Sequence, residues 1–253
     1  MTSRKRRILH VLPVAVPPHA WRAFVDQFPA GIVDEDIEVE FTAPARGPGN
    51  MIDSDYERTI SDFAVLAAAE KAEEEGYAAV VVNSMSDSGL SALRSRLAIP
   101  VVGAGQASMA LASCLGTRIG VVTMWQPWHA LYTSAAASAG ISERLVSIRD
   151  IDTRPDAEEL LSDRETVHPR LLDACVKAIE DDGVHVLIMG STTMHYAYHY
   201  LTERLDVPLI NPGIAAQQLA QQLVRAGLSH SGRAHLAPAK PDGDLLTAFT
   251  ARR

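Results

Sequence analysis

Short β-branched apolar runs alternate along this chain with longer stretches of helical period, and that alternation predicts its architecture. Ile8 to Leu12 reads as the first strand, His19 to Phe28 as a short helix, and Ile37 to Thr42 as a strand of alternating apolar and polar residues. Asp53 opens a long predicted helix through Glu75, with acids in its first turn to suit the helix dipole and Gly76 as its stop. Next come a strand from Ala79 to Asn83, a helix over Leu90 to Leu97, a strand from Pro100 to Gly103, a helix from Gln106 to Leu115 and a strand from Arg118 to Thr123. The pattern then restarts. Helix Trp128 to Ala139 leads to a strand near Leu145 to Ile148 and a helix Asp156 to Asp181, interrupted at Pro169. Strand His185 to Met189, helix Tyr196 to Arg204, strand Pro208 to Ile210 and helix Gly213 to Ala226 complete the set. The Pro-, Gly- and His-bearing tail from Leu228 is expected to be irregular and partly mobile. Strands regularly alternating with helices predict an α/β protein with parallel sheets flanked by helices.

Two of the predicted strands end alike. Ala79 to Gly89 (AVVVNSMSDSG) is a buried-strand run followed by a hydroxyl-rich loop, and Val186 to Tyr196 (VLIMGSTTMHY) has the same form. Ligands of open α/β sheets sit at the carboxyl ends of such strands. With Ser84 set on Ser191 and one residue of gap after it, Arg96-Leu97-Ala98-Ile99-Pro100 falls on Arg204-Leu205-Asp206-Val207-Pro208, Gly105 on Gly213 and Ala112 on Ala220. This internal repeat predicts two similar lobes related by a pseudo-twofold axis, with the site in the cleft between them. The expected division is residues 1–124 plus a C-terminal segment from about 208 to 253 for the first lobe, and 125–207 for the second.

Composition narrows the function. A net charge of −8 without a basic stripe argues against nucleic acid or an anionic membrane as partner. Arg4 to Arg7 precede an apolar stretch, but Pro13, Pro17 and Pro18 crowd it, so a strand is expected there rather than a signal peptide. No apolar run is long enough to span a bilayer. Cys114 and Cys175 form neither a disulfide framework nor a zinc spacing and are expected to be buried, in a protein of the reducing cytoplasm.

The motifs at the two strand ends resemble the aspartate/glutamate racemase superfamily, and within it the hydantoin racemase-like branch. That branch reads Cys-x-x-Asp-x-Gly after an apolar strand, where this chain has Ser84-Met85-Ser86-Asp87-Ser88-Gly89. It reads Gly-Cys-x-x-Met at the second site, where this chain has Gly190-Ser191-Thr192-Thr193-Met194. The likeness runs from about residue 44 to 224, through Gly47-Pro48, Ile52, Asp53 and Tyr56, Pro100 to Gly103, and Leu115-Gly116 to Val122-Thr123. It implies a cofactor-free, metal-free enzyme in which two cysteines move a proton from one face of a carbon to the other. Both positions are serine here, Gln106 stands where the branch carries glutamate, and Leu12 to Val16 replaces an Asn-rich segment.

Serine changes the chemistry. A thiol of pKa about 8.5 is readily ionised and a hydroxyl is not, and each pKa unit of mismatch costs about 1.4 kcal/mol. Three arrangements are open. Asp87 or His195 activates a serine; the hydroxyls of Ser84 and Ser191 donate hydrogen bonds to an enolate or carboxylate; or the fold only binds a ligand. Asp87 has a second reading as N-cap of the helix at Leu90, and His195 as an ordinary helix-start residue. His195 and His199 share a helical face, but no acidic third ligand accompanies them, so no metal is expected. Asn83, Met85, Ser86, Gln106, Thr123, Trp125, Thr192 and Thr193 are the expected substrate-binding positions, with Trp125 and Trp128 either roofing the cleft or packing a linker. The expected substrate is a small carboxylate or a cyclic amide or imide, and a homo-oligomer is expected. The expected reaction lies at a carbon α to a carboxylate or ring carbonyl, racemase- or isomerase-like. A lyase, decarboxylase or ring-opening hydrolase is the alternative, and a non-catalytic binder the third.

Overall fold

The structure, a computed structural model, describes residues 5–48, 52–154, 164–241 and positions 243, 246 and 248. Its first sheet holds β1 (Arg6–Val11), β2 (Ile37–Thr42), β3 (Ala79–Val82) and β4 (Val101–Gly103), all parallel, in the order β2-β1-β3-β4. Its second holds β5 (Ile119–Thr123), β6 (Leu145–Asp150), β7 (Val186–Met189) and β8 (Leu209–Ile210), in the order β6-β5-β7-β8. The second sheet thus repeats the strand order of the first. β3 and β7 are central in their sheets and buried along their whole length, which is why they read as unbroken apolar runs rather than alternating ones.

The helices are α1 (Trp21–Val25), α2 (Asp55–Ala69), α3 (Leu90–Arg96), α4 (Ala104–Leu115), α5 (His129–Ser138), α6 (Arg164–Glu180), α7 (Tyr198–Thr202) and α8 (Pro212–Ala226). α2 begins two residues later than the acids alone suggest. The Ser54 hydroxyl accepts from the Glu57 N–H while the Glu57 carboxylate accepts from Ser54 and from the Asp53 N–H, a reciprocal cap. Pro169 lies inside α6, which continues through it. Leu171, Ala174, Cys175 and Ala178 bury one face of that helix in the second core, which offsets the roughly 3 kcal/mol that an interior proline costs. The part of this predicted helix over 156–163 falls outside the described residues.

Two expectations need correction. β5 and β8 pair with β6 and β7, so the second sheet takes strands that the division at 124 and 208 had given to the first lobe. α8 returns to the first lobe, placing Ala216 and Ala220 in the core beneath Val81 and Val102, and Ser229 and His230 after it bond to the Ala98 and Leu97 carbonyls. The return follows from the small-residue stripe of α8, which packs closely there, while Leu209 and Ile210 extend the sheet of β7. The second correction concerns cysteine. Cys175 is buried, which pushes its thiol up to about 12, but Cys114 is exposed on the outer face of α4. No described helix is long and apolar enough to cross a membrane.

Strand order reverses between β1 and β3 and again between β5 and β7. Crevices at such switch points, outside the carboxyl ends of the strands, are where open α/β sheets hold ligands. The loops after β3 and β7 lie there.

Candidate active site

The loops after β3 and β7 have the same internal wiring. In the first, the Ser86 N–H donates to Ser84 Oγ (3.3 Å) and the two hydroxyls are 2.8 Å apart. In the second, the Thr193 N–H donates to Ser191 Oγ (3.3 Å) and those hydroxyls are also 2.8 Å apart. The two loops meet, because the Thr192 hydroxyl donates to the carbonyl oxygen of Asn83 (3.4 Å). Asn83 precedes Ser84 and Thr192 follows Ser191, so that contact holds the two serine segments side by side at the cleft. The sequence repeat is a repeat of geometry.

The first loop adds a third hydroxyl. Ser86 Oγ lies 2.8 Å from Ser88 Oγ, and Ser88 is fully buried. A buried donor left unpaired costs about 1–3 kcal/mol, so the Ser88 hydroxyl donates to Ser86, and Ser86 in turn donates to Ser84. Both lone pairs of Ser84 Oγ are then occupied, one by Ser86 O–H and one by Ser86 N–H. The Ser84 proton is left to donate outward.

Asp87 is held elsewhere. Its φ of +50° turns the carboxylate away from α3 and onto the start of α4, where Oδ1 accepts from the Gly105 N–H (2.9 Å) and Oδ2 from the Gln106 N–H (2.7 Å). The expected cap at Leu90 is not made: Gly89 precedes α3 with no side-chain cap, and the Asp87 carboxylate instead holds the first turn of α4. A Cβ on Gly103 would lie 2.3 Å from Asp87 Oδ1, so the glycine makes room for the carboxylate. Burial pushes the Asp87 carboxyl up to about 7, against the two N–H donors and Arg94 and Arg58, which favour its charged form. Gln106 accepts from Arg94 Nη2 (2.8 Å). Met85 fills the second lobe's core beside Met109, and Thr123, fully buried, shares a hydrogen bond with Tyr132, whose hydroxyl donates to the Gly190 carbonyl. Met85 and Thr123 therefore support the loops from beneath instead of lining the cleft. A Cβ on Gly190 would lie 2.6 Å from both Thr123 Oγ1 and the Tyr132 hydroxyl, which explains the glycine before Ser191.

Trp125 follows β5 at the second switch point and packs on the core, as does the buried Trp128. Both indole N–H groups are enclosed without a hydrogen-bond partner among the described residues. His195 lies in a 3-10 turn, Thr192–Ala197, with its ring centroid 4.0 Å from that of Tyr196, whereas His199 belongs to α7. Their shared helical face is thereby lost, and no described cluster of three His, Cys, Asp or Glu could hold a metal.

The family model described as Asp/Glu/Hydantoin racemase matches residues 19–220. The chain belongs to this family. Among curated relatives, hydantoin racemase of Pseudomonas sp. (strain NS671) is 30% identical over 192 residues, which are 76% of this chain and 76% of that protein. Hydantoin racemase of Paenarthrobacter aurescens is 27% identical over 191 residues, 74% of this chain and 79% of that one. Among solved structures, allantoin racemase from Klebsiella pneumoniae superposes with a TM-score of 0.85 at 23% identity, covering 94% of this chain and 95% of its own. Arylmalonate decarboxylase gives 0.56 at 20% identity, covering 87% and 93%. These two structural likenesses describe the fold.

Sequence reasoning about this racemase-family chain missed one group. His10, next to the carboxyl end of β1, is fully buried with Phe28 and Phe41 against its ring and amides as its hydrogen-bond partners. Burial lowers its pKa to about 4. Below the ordinary value of about 6.5 the unfolded chain takes up this proton before the folded one does, so stability is lost as pH falls from about 6.5 toward 4. The expected loss from this group is about 3 kcal/mol over that window. Denaturant titrations of the wild type and His10→Gln at pH 7 and 4.5 check it. The wild type should lose more stability than the variant, and equal losses would remove His10 from the acid response. In sequence, the only signal was a polar residue at an inward position of a strand buried on both faces.

Proposed function

We propose that the cleft holds a small carboxylate or cyclic amide or imide, and that the protein is a cofactor-independent isomerase of the racemase type acting at the carbon α to the carbonyl. The hydroxyls of Ser84 and Ser191 hydrogen-bond the developing enolate oxygen from opposite lobes, and Ser86, Thr192, Thr193 and Asn83 hold those hydroxyls in place. The observation that carries this reading is the matched serine–hydroxyl pair, 2.8 Å in each loop, at the ends of equivalent strands. Preorganised donors aimed at developing charge are the largest single contribution in much enzyme catalysis. His195, four residues after Ser191, is the proposed proton carrier, since a hydroxyl is too weak an acid to replace a thiol in that role.

A second reading has an observation in its favour. The Ser84 oxygen accepts from the Ser86 N–H and lies 2.8 Å from the Ser86 hydroxyl, and with Ser86 oriented by the buried Ser88 it acts as a donor and takes no proton from carbon. Decarboxylation needs no such base: loss of CO2 leaves the carbanion, its charge spreads into the remaining carboxylate, and one proton completes the product. Turnover in deuterated water separates the two. With hydantoins, α-amino acids and substituted malonates offered in turn, the isomerase reading expects deuterium at the α carbon of recovered substrate, in both enantiomers, with no carbon lost. The decarboxylase reading expects CO2 release and one deuterium in its place. Binding of these compounds with neither outcome would leave a non-catalytic binder.

A further inference from the structure

We propose that His10 and Gln217 are positioning residues for the serine site, acting through a one-way hydrogen-bond chain that ends on Asn83. The chain runs from the loop at residues 32–34, through α8 and β1, to the end of β3. Its direction is set by backbone groups, which cannot exchange roles. The Asp34 N–H donates to Gln221 Oε1 (3.2 Å), and Gln221 Nε2 donates to the Ile32 carbonyl (3.3 Å), so the Gln221 amide has one orientation. Gln217 Nε2 therefore donates to Gln221 Oε1 (2.8 Å), which turns Gln217 Oε1 toward the imidazole. An amide oxygen only accepts. His10 Nε2, 2.8 Å away, must carry the hydrogen, which leaves Nδ1 as an acceptor. Asn83 Nδ2 donates to that Nδ1 (2.9 Å) and to Gln27 Oε1 (3.1 Å), while Gln27 Nε2 reaches Asn83 Oδ1 (3.4 Å). Every amide in the chain has one orientation, and the ring has one tautomer.

His10, Gln217, Asn83, Gln27 and Gln221 are all at least nine-tenths buried. A packed apolar set would fill this space without the desolvation these groups suffer, and a polar network in a core gains unique orientation when every member is satisfied. What it orients is Asn83, whose carbonyl accepts from Thr192 across the lobes and whose next residue is Ser84. The same chain fixes α8, the helix that returns from the second lobe to the first. The lobes are thus registered to each other at the residue that bears on the site. Close packing supports it: a Cβ on Gly213, at the start of α8, would lie 2.4 Å from Gln27 Oε1.

The inference rests on the reading that Ser84 touches substrate only in its turnover arm. The test compares full-length wild type with His10→Leu, Gln217→Leu and the double variant, by denaturant titration and by amide hydrogen exchange of the segment 83–88. His10→Leu strands Gln217 Oε1 and an Asn83 N–H, and Gln217→Leu strands the His10 Nε2–H and takes one donor from Gln221 Oε1, so each should lose stability. The double variant removes the mismatch between the two and should recover part of it, with Asn83 still missing its acceptor. A purely structural pair would recover the loop as well. A positioning pair would not: exchange across 83–88 should stay at least ten-fold faster than in the wild type in all three variants, with β5 and β7 unchanged. If a substrate is found, kcat in the double variant should fall at least ten-fold despite the recovered stability. Wild-type exchange of 83–88 in the double variant would overturn the proposal, as would a 15N spectrum showing His10 protonated on Nδ1 at pH 7. Failure to find any substrate would count against the proposed function alone, since the exchange and tautomer measurements need none.

Discussion

Replacing Ser84 by alanine is expected to lower turnover about 10²- to 10³-fold with the fold intact, the usual effect of deleting one donor from an oxyanion-binding site. Ser191→Ala should act similarly, because its loop has the same hydrogen-bond pattern. The double variant should lose less than the product of the two, since donors that share one developing charge act as a unit. Circular dichroism should not change, since Ser84 lies at the cleft, while loss of the acceptor for the Ser86 N–H and O–H should lower stability by about 1 kcal/mol. Unchanged kcat/KM in the double variant would end any claim that these positions carry the chemistry. Cysteine at both positions is the complementary experiment. The Ser86 N–H and O–H that hold the Ser84 oxygen would also stabilise a thiolate there. Exchange of α-protons in deuterated water should rise in that variant over the wild type.

The second large effect is on stability. Asp87→Ala is expected to cost about 3 kcal/mol, because it strands the Gly105 and Gln106 N–H groups in a pocket shaped for the carboxylate. It also removes the group for which the left-handed φ at residue 87 is held. Asp87→Asn should cost less, since one amide oxygen still caps one N–H while its NH2 meets a donor. Denaturant unfolding of the three proteins at pH 7 gives the order wild type, Asn variant, Ala variant. An alanine variant as stable as the wild type would show that α4 needs no cap from the site loop. This residue links fold to function: the loop bearing Ser84 is tied at Asp87 to α4 and at Asn83 to the second lobe.

Much of this was legible before any coordinates. The runs at Ala79 to Val82 and Val186 to Met189 are strands because β-branched and apolar residues buried on both faces need no alternation. The register of Ser84 on Ser191 could be read because the same hydroxyls recur at the same distance from a strand end. The Glu57 cap was not read, which put the start of α2 at Asp53 and not at Asp55. Pro169 was over-read, because tertiary packing of the rest of α6 outweighs one lost N–H bond.

The sequence by itself determined the α/β alternation, the duplication and the pair of serines, all of which are written in periodicities a few residues long. Tertiary structure alone decided that Asp87 serves α4 and not Ser84, that Met85 and Thr123 lie beneath the site, and that β5 and β8 belong to the second sheet. It also decided that His10 reaches Gln217, 207 positions away in the chain. Helix and strand propensities act between near neighbours, whereas the partner of a buried polar group is chosen by whichever distant segment the packed core brings within about 3 Å. No pattern along the chain records that choice.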